Sequence, residues 1–361
     1  MKKDSQQIIE KLLSFIKAYN DSDDAFNQMA LELFRFQFEH NMAYKKYAVA
    51  RKKTPLTIKT WKDIPPIPIQ AYKEVTLSSE PIEEAEAVFM TSGTTNKEKK
   101  GKNYHPTLSV WDASMVGPFR HFVLPHTQKT TIFVLSPAEE MNQNSSLSRY
   151  LTKAVEYCGT EQSQFFFNQD GLDMEGLVHS LQSIEQSSDP VLLMGATFSY
   201  VHFLDYCEER NLSFHLPKGS VIFDTGGLKG QAREISGDDF YAWITRSFGI
   251  DRMDCINMYG MTELSSQLYD QTIRKKQVEK ATPPWVRTVI LDPETLAPLP
   301  HGMVGVIAHY DLANWNSALA ILTEDQGFYN ENGLVLLGRI QGSEARGCSI
   351  AIDQLLQSQR K

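Results

Sequence analysis

Four short apolar runs, EAVFM (86–90), TTIFVLSPA (130–138), PVLLMGA (190–196) and GSVIFDTGG (219–227), set the narrowest limits on the fold. Each ends in small or polar residues and is followed by a stretch with helical spacing, the pattern of strands buried on both faces and joined by crossover helices. That alternation predicts an α/β protein built on a mostly parallel sheet covered by helices. From Thr288 to Val306 the pattern changes to short strands punctuated by Pro and Gly, which predicts a meander or distorted-barrel region.

Ahead of these runs, Ile8, Ile9, Leu12, Leu13 and Ile16 repeat at helical spacing, as do Phe26, Met29, Leu33 and Phe36 after the capping run Ser22-Asp23-Asp24. Pro65, Pro66 and Pro68 then predict an extended connector, because each lacks a backbone donor and restricts the residue before it. The 36 basic and 44 acidic side chains leave a net charge of −8, so no electrostatic footprint for nucleic acid or an anionic membrane is expected. Charge and amide groups interrupt the N-terminal apolar residues, unlike a signal peptide, and Val191–Leu204 falls short of the roughly 20 residues that span a bilayer. No membrane span is predicted. Cys158, Cys207, Cys255 and Cys348 form no metal or disulfide pattern, and reduced thiols in a cytoplasm are the expectation.

Three segments carry chemistry. Thr91-Ser92-Gly93-Thr94-Thr95-Asn96-Lys97 follows a predicted strand and offers hydroxyl and backbone donors to an anion, with Lys99, Lys100 and Lys102 adding charge. It is not a Walker A loop, since Gly101-Lys102 is followed by Asn103 and Asn96 stands five positions before Gly101. A solvated polar turn is the bland alternative. Tyr259-Gly260-Met261-Thr262-Glu263 brings together an aromatic, a turn residue, a hydroxyl and a carboxylate suited to a planar base, a phosphate oxygen and a hard cation; a strand-to-helix turn capped by Thr262 reads the same residues. Asp325 and Arg339 suit ribose hydroxyls, while a hairpin turning at Asn332-Gly333 explains their spacing equally well. Phe165–Phe167 fits an acyl tunnel or, more plainly, a strand with one buried face, and His105, His121 and His202 receive no role.

Taken in order, the TSGTT loop, Asp224-Thr225-Gly226-Gly227, YGMTE, the Thr323-x-Asp325 segment and Gly338-Arg339 resemble the adenylate-forming (acyl-AMP) enzymes from about residue 60 onward. The WKDIPPIPIQAYKE, DTGGLKG and GRIQGSEARGCS segments are most similar to the bacterial acyl-protein synthetases, the fatty-acid-activating component of luminescence fatty acid reductase. The resemblance implies the large α/β domain of these enzymes, with only Ile340–Lys361 in place of the full C-terminal domain. It divides the chain into a helical segment and connector (1–75) packing on the main body, the adenylate-forming domain (76–339) and a short C-terminal segment (340–361).

It also implies ATP and Mg2+ as cofactors and acyl-AMP formation from a carboxylic acid, with a long-chain fatty acid as the expected substrate. Transfer to a thiol would follow, with an acyl reductase or other acyl-accepting protein as partner. Residue by residue, Thr91, Ser92, Gly93, Thr94 and Thr95 close over phosphates with Lys97 or a following lysine, and Gly226, Gly227, Tyr259 and Gly260 line the nucleotide. Thr262 reaches the α-phosphate, Glu263 holds Mg2+, and Asp325 and Arg339 hold ribose. Cys348, beside Arg346 and after Gly347, takes the position of the acyl-accepting cysteine, in an environment that favours thiolate. The other three cysteines read as packing. Two departures stand out: Glu324 replaces the usual Gly of the T-G-D segment, and NKEKKGK lacks the usual Pro-Lys-Gly, leaving open which lysine meets phosphate. An acyl- or aryl-CoA ligase and a non-catalytic nucleotide-binding module remain as alternatives.

Overall fold

The computed structural model describes residues 1–91, 99–226, 235–340 and 346–360, and of the last stretch the side chains of 350–359 only. The chain divides into two compact units, the first formed by 1–115, 261–267 and 279–361 and the second by 116–260 and 268–278.

The first unit opens with helices α1 (Lys3–Ala18), α2 (Asp23–His40) and α3 (Met42–Ala50). Ser22 caps α2 as its sequence predicts, with its hydroxyl accepting from the Ala25 N–H at 3.4 Å and acidic residues in the first turn complementing the helix dipole. Beyond connecting, the Pro-rich stretch forms strand β1 (Ile67–Pro68), parallel to a later strand, and helix α4 (Ala71–Glu74). The prolines contribute acceptors: the carbonyls of Pro65 and Pro66 receive the Tyr44 and Tyr47 hydroxyls at 3.1 and 2.9 Å. AVFM becomes β2 (Ala87–Met90) but pairs antiparallel with β3 (Lys102–His105), so this run builds a hairpin rather than a strand of the parallel sheet. Along α5 (Ser109–Phe122) the chain passes into the second unit.

The second unit matches the predicted alternation. Its elements are β4 (Thr131–Val134), α6 (Ser146–Cys158), β5 (Gln164–Phe165), the small hairpin β6 (Phe167–Asn168) and β7 (Gly171–Leu172), α7 (Met174–Gln186), β8 (Val191–Ala196), α8 (Thr197–Glu209), β9 (Val221–Thr225), α9 (Gly237–Phe248), β10 (Cys255–Tyr259), β11 (Leu268–Gln271) and α10 (Thr272–Lys275). The sheet runs β11-β10-β9-β8-β4-β5, parallel except for β11. Phe166 is buried between β5 and β6 against Phe133, so this member of the aromatic run packs the core while Phe165 and Phe167 are half-buried.

Returning to the first unit, β12 (Gln277–Ala281), β13 (Val286–Leu291), β14 (Gly305–Asp311), β15 (Ala320–Tyr329) and β16 (Leu334–Arg339) form an antiparallel sheet in the order β13-β14-β15-β16-β12, with β1 added on β15. Among the described residues these strands do not close into a barrel. Helix α11 (Arg346–Arg360) ties back to α3 through Gln359, whose Nε2 donates to the Ala43 carbonyl at 3.0 Å. No described helix is long and apolar enough to cross a membrane.

Between β14 and β15 the chain runs Asp311–Leu319 wholly buried, an unusual place for a loop because its backbone polar groups must find partners inside the protein. Amide side chains supply them. Gln37 Nε2 donates to the carbonyls of Asn314 (2.7 Å) and Trp315 (3.0 Å), and its Oε1 accepts from the Leu319 N–H (3.1 Å). Asn316 Oδ1 accepts from the N–H groups of Ser79 (3.0 Å) and Glu80 (3.1 Å), while its Nδ2 donates to the Tyr104 carbonyl (2.8 Å) and the Ser78 hydroxyl (3.0 Å). Asn316→Ala strands these groups in the interior, so the expected loss is about 2–3 kcal/mol of unfolding free energy in urea. A loss indistinguishable from zero would show that water replaces the amide.

Candidate active site

In the first unit the site grows from the end of the β2–β3 hairpin. Thr91 N–H donates to the Gly101 carbonyl, and the Gly101 N–H returns to Thr91 Oγ1, both at 3.0 Å. This pair closes the stem of the predicted phosphate loop. Ser92, Gly93, Thr94, Thr95 and Lys97 lie outside the described residues. A methyl group added at Gly101 would come within 3.1 Å of Thr91 Cγ2 and 3.5 Å of both Glu263 Oε1 and Lys73 Cγ, so the absence of a side chain lets a threonine, a carboxylate and a lysine stem close in around this point.

Met261–Gln267 is strapped into this unit from both sides. The Thr262 carbonyl accepts from Asn103 Nδ2 at 3.0 Å, and the Glu263 carbonyl from Asn314 Nδ2 at 2.9 Å. Asn314 Oδ1 accepts from the Ser265 N–H at 2.7 Å, and Asp311 holds the Ser266 N–H and hydroxyl, both at 2.8 Å. The Leu264 N–H closes a turn onto the Met261 carbonyl, and β11 follows, so Thr262 caps no helix. Only 5% of Glu263 is exposed, and burial pushes its carboxyl up from 4.5 to about 7 despite the opposing charges of Lys73 and Arg339.

Asp325 and Arg339 face each other across β15 and β16, with Nε 4.0 Å from Oδ1. The chain turns between them at Asn330–Gly333, so the hairpin reading and the pairing both hold. Glu324 joins them: its Oε2 lies 3.8 Å from Arg339 Nη1, and its Oε1 accepts from Gln70 Nε2. Arg339 is 59% exposed, so these pairs add little to stability and leave the guanidinium within reach of a ligand.

In the second unit, Gly226 and Tyr259 stand at the carboxyl ends of the adjacent parallel strands β9 and β10, where open α/β sheets bind ligands. Gly226 has φ 81°, a left-handed conformation that favours Gly. Asp224, 1% exposed, accepts from Thr197 Oγ1 (2.9 Å), Tyr241 Oη (2.8 Å) and Asn257 Nδ2 (2.8 Å), fixing both strand ends. Gly260 ends this unit's share of YGMTE, and Gly227 lies outside the described residues.

Cys158, Cys207 and Cys255 are buried, and burial pushes the Cys207 thiol up to about 12 and raises that of Cys255, which makes them inert packing groups. Cys348 sits in the first turn of α11, with its side chain outside the described residues. Sequence reasoning missed Lys73 and Gln70 and gave Gly101 no role beyond its place after the loop. Lys73 and Gln70 lie in the stretch read as a connector, and no local signal places them beside residues some 190 and 250 positions away.

The described residues hold no cluster of three or more Asp, Glu, His or Cys able to bind a metal by themselves. A single buried carboxylate close to Thr91 nonetheless suits Mg2+, which takes one or two carboxylates and completes its shell with phosphate oxygens and water. Without such a cation, ionised Glu263 destabilises the fold. Because its folded pKa lies above the unfolded value, stability falls as pH rises from about 4.5 to about 7 and then levels. Glu263→Gln should therefore gain stability relative to the parent by about 3 kcal/mol between pH 5 and pH 8 in metal-free urea titrations. A pH-independent difference would mean that the carboxylate is solvated.

The family described as "Acyl-protein synthetase, LuxE" matches residues 5–357. The chain is 22% identical to the long-chain-fatty-acid–luciferin-component ligase of Aliivibrio fischeri over 355 residues, 95% of this chain and 92% of that protein. It is likewise 22% identical to the Vibrio harveyi ligase of the same name, over 89% of this chain and 85% of that one. Among solved structures, 2-hydroxyisobutyryl-CoA ligase in complex with 2-HIB-AMP aligns with a TM-score of 0.67 and 15% identity, over 88% of this chain and 68% of that one. ATP-bound MatB from Rhodopseudomonas palustris aligns at 0.53 and 17% identity over 72% of this chain, and the match spans about half (49%) of MatB. These two likenesses bear on the fold, an α/β architecture shared with adenylate-forming enzymes. With the family match running through nearly every element described above, the chain belongs to the LuxE family of acyl-protein synthetases.

Proposed function

We propose that this protein joins a carboxylic acid, a long-chain fatty acid, to ATP to form acyl-AMP and pyrophosphate, then passes the acyl group to the thiol of Cys348 for delivery to an acyl-accepting protein such as a reductase. The observation that carries the reading is the buried Glu263 carboxylate beside Thr91, Gly101 and Lys73, in a chain of the acyl-protein synthetase family. The names of the two luciferin-component ligases support the acid class, and the ATP-bound and acyl-adenylate-bound neighbours support the nucleotide.

In the first step a carboxylate oxygen attacks the α-phosphorus of ATP and the bond to pyrophosphate breaks. Both partners are anions, so the task is to align them and neutralise charge on the phosphoryl oxygens, and no general base is needed. Thr91 to Thr95, with Lys97, surround the phosphates, and Thr262 donates to the α-phosphate. Tyr259 flanks the base, Gly226, Gly227 and Gly260 line the nucleotide, and Asp325 and Arg339 take the ribose. Glu263 holds Mg2+, which supplies charge neutralisation when bound. In the second step the Cys348 sulfur, having lost its proton to solvent, attacks the acyl carbon and AMP leaves.

The test is intact-protein mass after incubation with ATP, Mg2+ and carboxylic acids of increasing chain length, with acid-dependent ATP–pyrophosphate exchange in parallel. A long-chain acyl mass removed by hydroxylamine is the expected result. Glu263→Gln should slow exchange by about 100-fold. Cys348→Ser should keep exchange and lose the adduct, and an undiminished adduct in that variant would move the acceptor elsewhere. Pyrophosphate release by the parent enzyme with no adduct would overturn self-acylation in favour of an external thiol.

A further inference from the structure

We propose that Lys73 is a catalytic residue of the adenylation step, the cation that meets the anionic oxygens of the reacting phosphate and carboxylate. The inference rests on the function proposed above and assigns to that site a residue from outside its motifs.

The described lysines of the predicted phosphate loop, Lys99, Lys100 and Lys102, are all exposed, and Lys99 is paired with Glu74. Lys73 instead lies half-buried at the inner end of the hairpin stem. Its Cγ stands 3.5 Å from where a Gly101 side chain would begin, the same point that Glu263 Oε1 approaches to 3.5 Å and Thr91 Cγ2 to 3.1 Å. Lysine stem, carboxylate and threonine thus converge on one glycine.

The position of Lys73 is built in. Strand β1 pairs with β15 through Ile67↔Ile321 and Pro68↔Leu322, and the Ile69 N–H donates to the Leu322 carbonyl at 2.9 Å. Tyr72, next to Lys73, donates its buried hydroxyl to Ser317 Oγ at 3.1 Å and lies 3.5 Å from the Glu263 carbonyl. Helix α4 is thereby held from the sheet and from the buried loop, so the lysine comes to the carboxylate preorganised. Once a divalent cation engages Glu263, the lysine's charge is available to the two anions that must approach each other. This is the condition for in-line attack of a carboxylate on phosphorus.

The experiment compares the parent with Lys73→Met and Lys73→Arg in ATP–pyrophosphate exchange at saturating Mg2+-ATP and acid, with melting temperatures measured alongside. Lys73→Met should lose about 100-fold in exchange rate with only a small fall in melting temperature, from the loss of one cation facing Glu263, and Lys73→Arg should recover to within about tenfold of the parent, as expected for a preorganised charge. Exchange by Lys73→Met within about threefold of an active parent would overturn this inference and leave the proposed function standing. Equal losses in both variants with lowered melting temperatures would assign Lys73 to packing and overturn it as well. A parent inactive with every acid would remove the function, and this inference with it.

Discussion

The buried loop Asp311–Leu319 is the constraint on which the first unit depends. A fully buried loop is stable only if each donor and acceptor is matched, and here Gln37, Asp311, Asn314 and Asn316 do the matching. The same side chains fix the candidate site. Asn314 and Asp311 hold Met261–Gln267, and Asn316 links the loop to Ser79, Glu80 and Tyr104 around the β2–β3 hairpin. Losing the network would therefore loosen core and site together. Asp311 itself is buried with its carboxyl pushed up to about 6, so this anchor too carries a charge cost that its hydrogen bonds only partly offset.

Glu263 shows the opposite balance. Its carboxylate is nearly enclosed, and its own backbone N–H, Lys73 and Arg339 only partly offset the cost of burying its charge. A fold selected for stability alone would not place an acid there. A charged group kept buried at a cost is a mark of a functional site. The second unit keeps its own buried acid, Asp224, but satisfies it with three neutral donors and uses it to pin the strand ends that present Gly226 and Tyr259.

Much of this was legible in the sequence. Three of the four apolar runs became neighbouring parallel strands, because a run buried on both faces followed by a helical period admits few other solutions. Ser22, the Asn330–Gly333 turn and the packing roles of Cys158, Cys207 and Cys255 also followed from local chemistry. AVFM misled because a four-residue strand looks the same in a hairpin as in a parallel sheet, and pairing is a long-range choice. Glu324 departs from the usual Gly of its segment, and only packing shows that it meets Gln70 and Arg339.

The sequence by itself determined the α/β class, the order of the motifs and the residue types able to bind a nucleotide, since periodicity and turn chemistry are local properties of the chain. Only the tertiary structure decided that Glu263 is buried, that it meets Thr91 around Gly101, and that Lys73 arrives there from a proline-rich stretch 190 residues earlier. Burial, electrostatic environment and the meeting of distant side chains are set by packing, which no local pattern encodes.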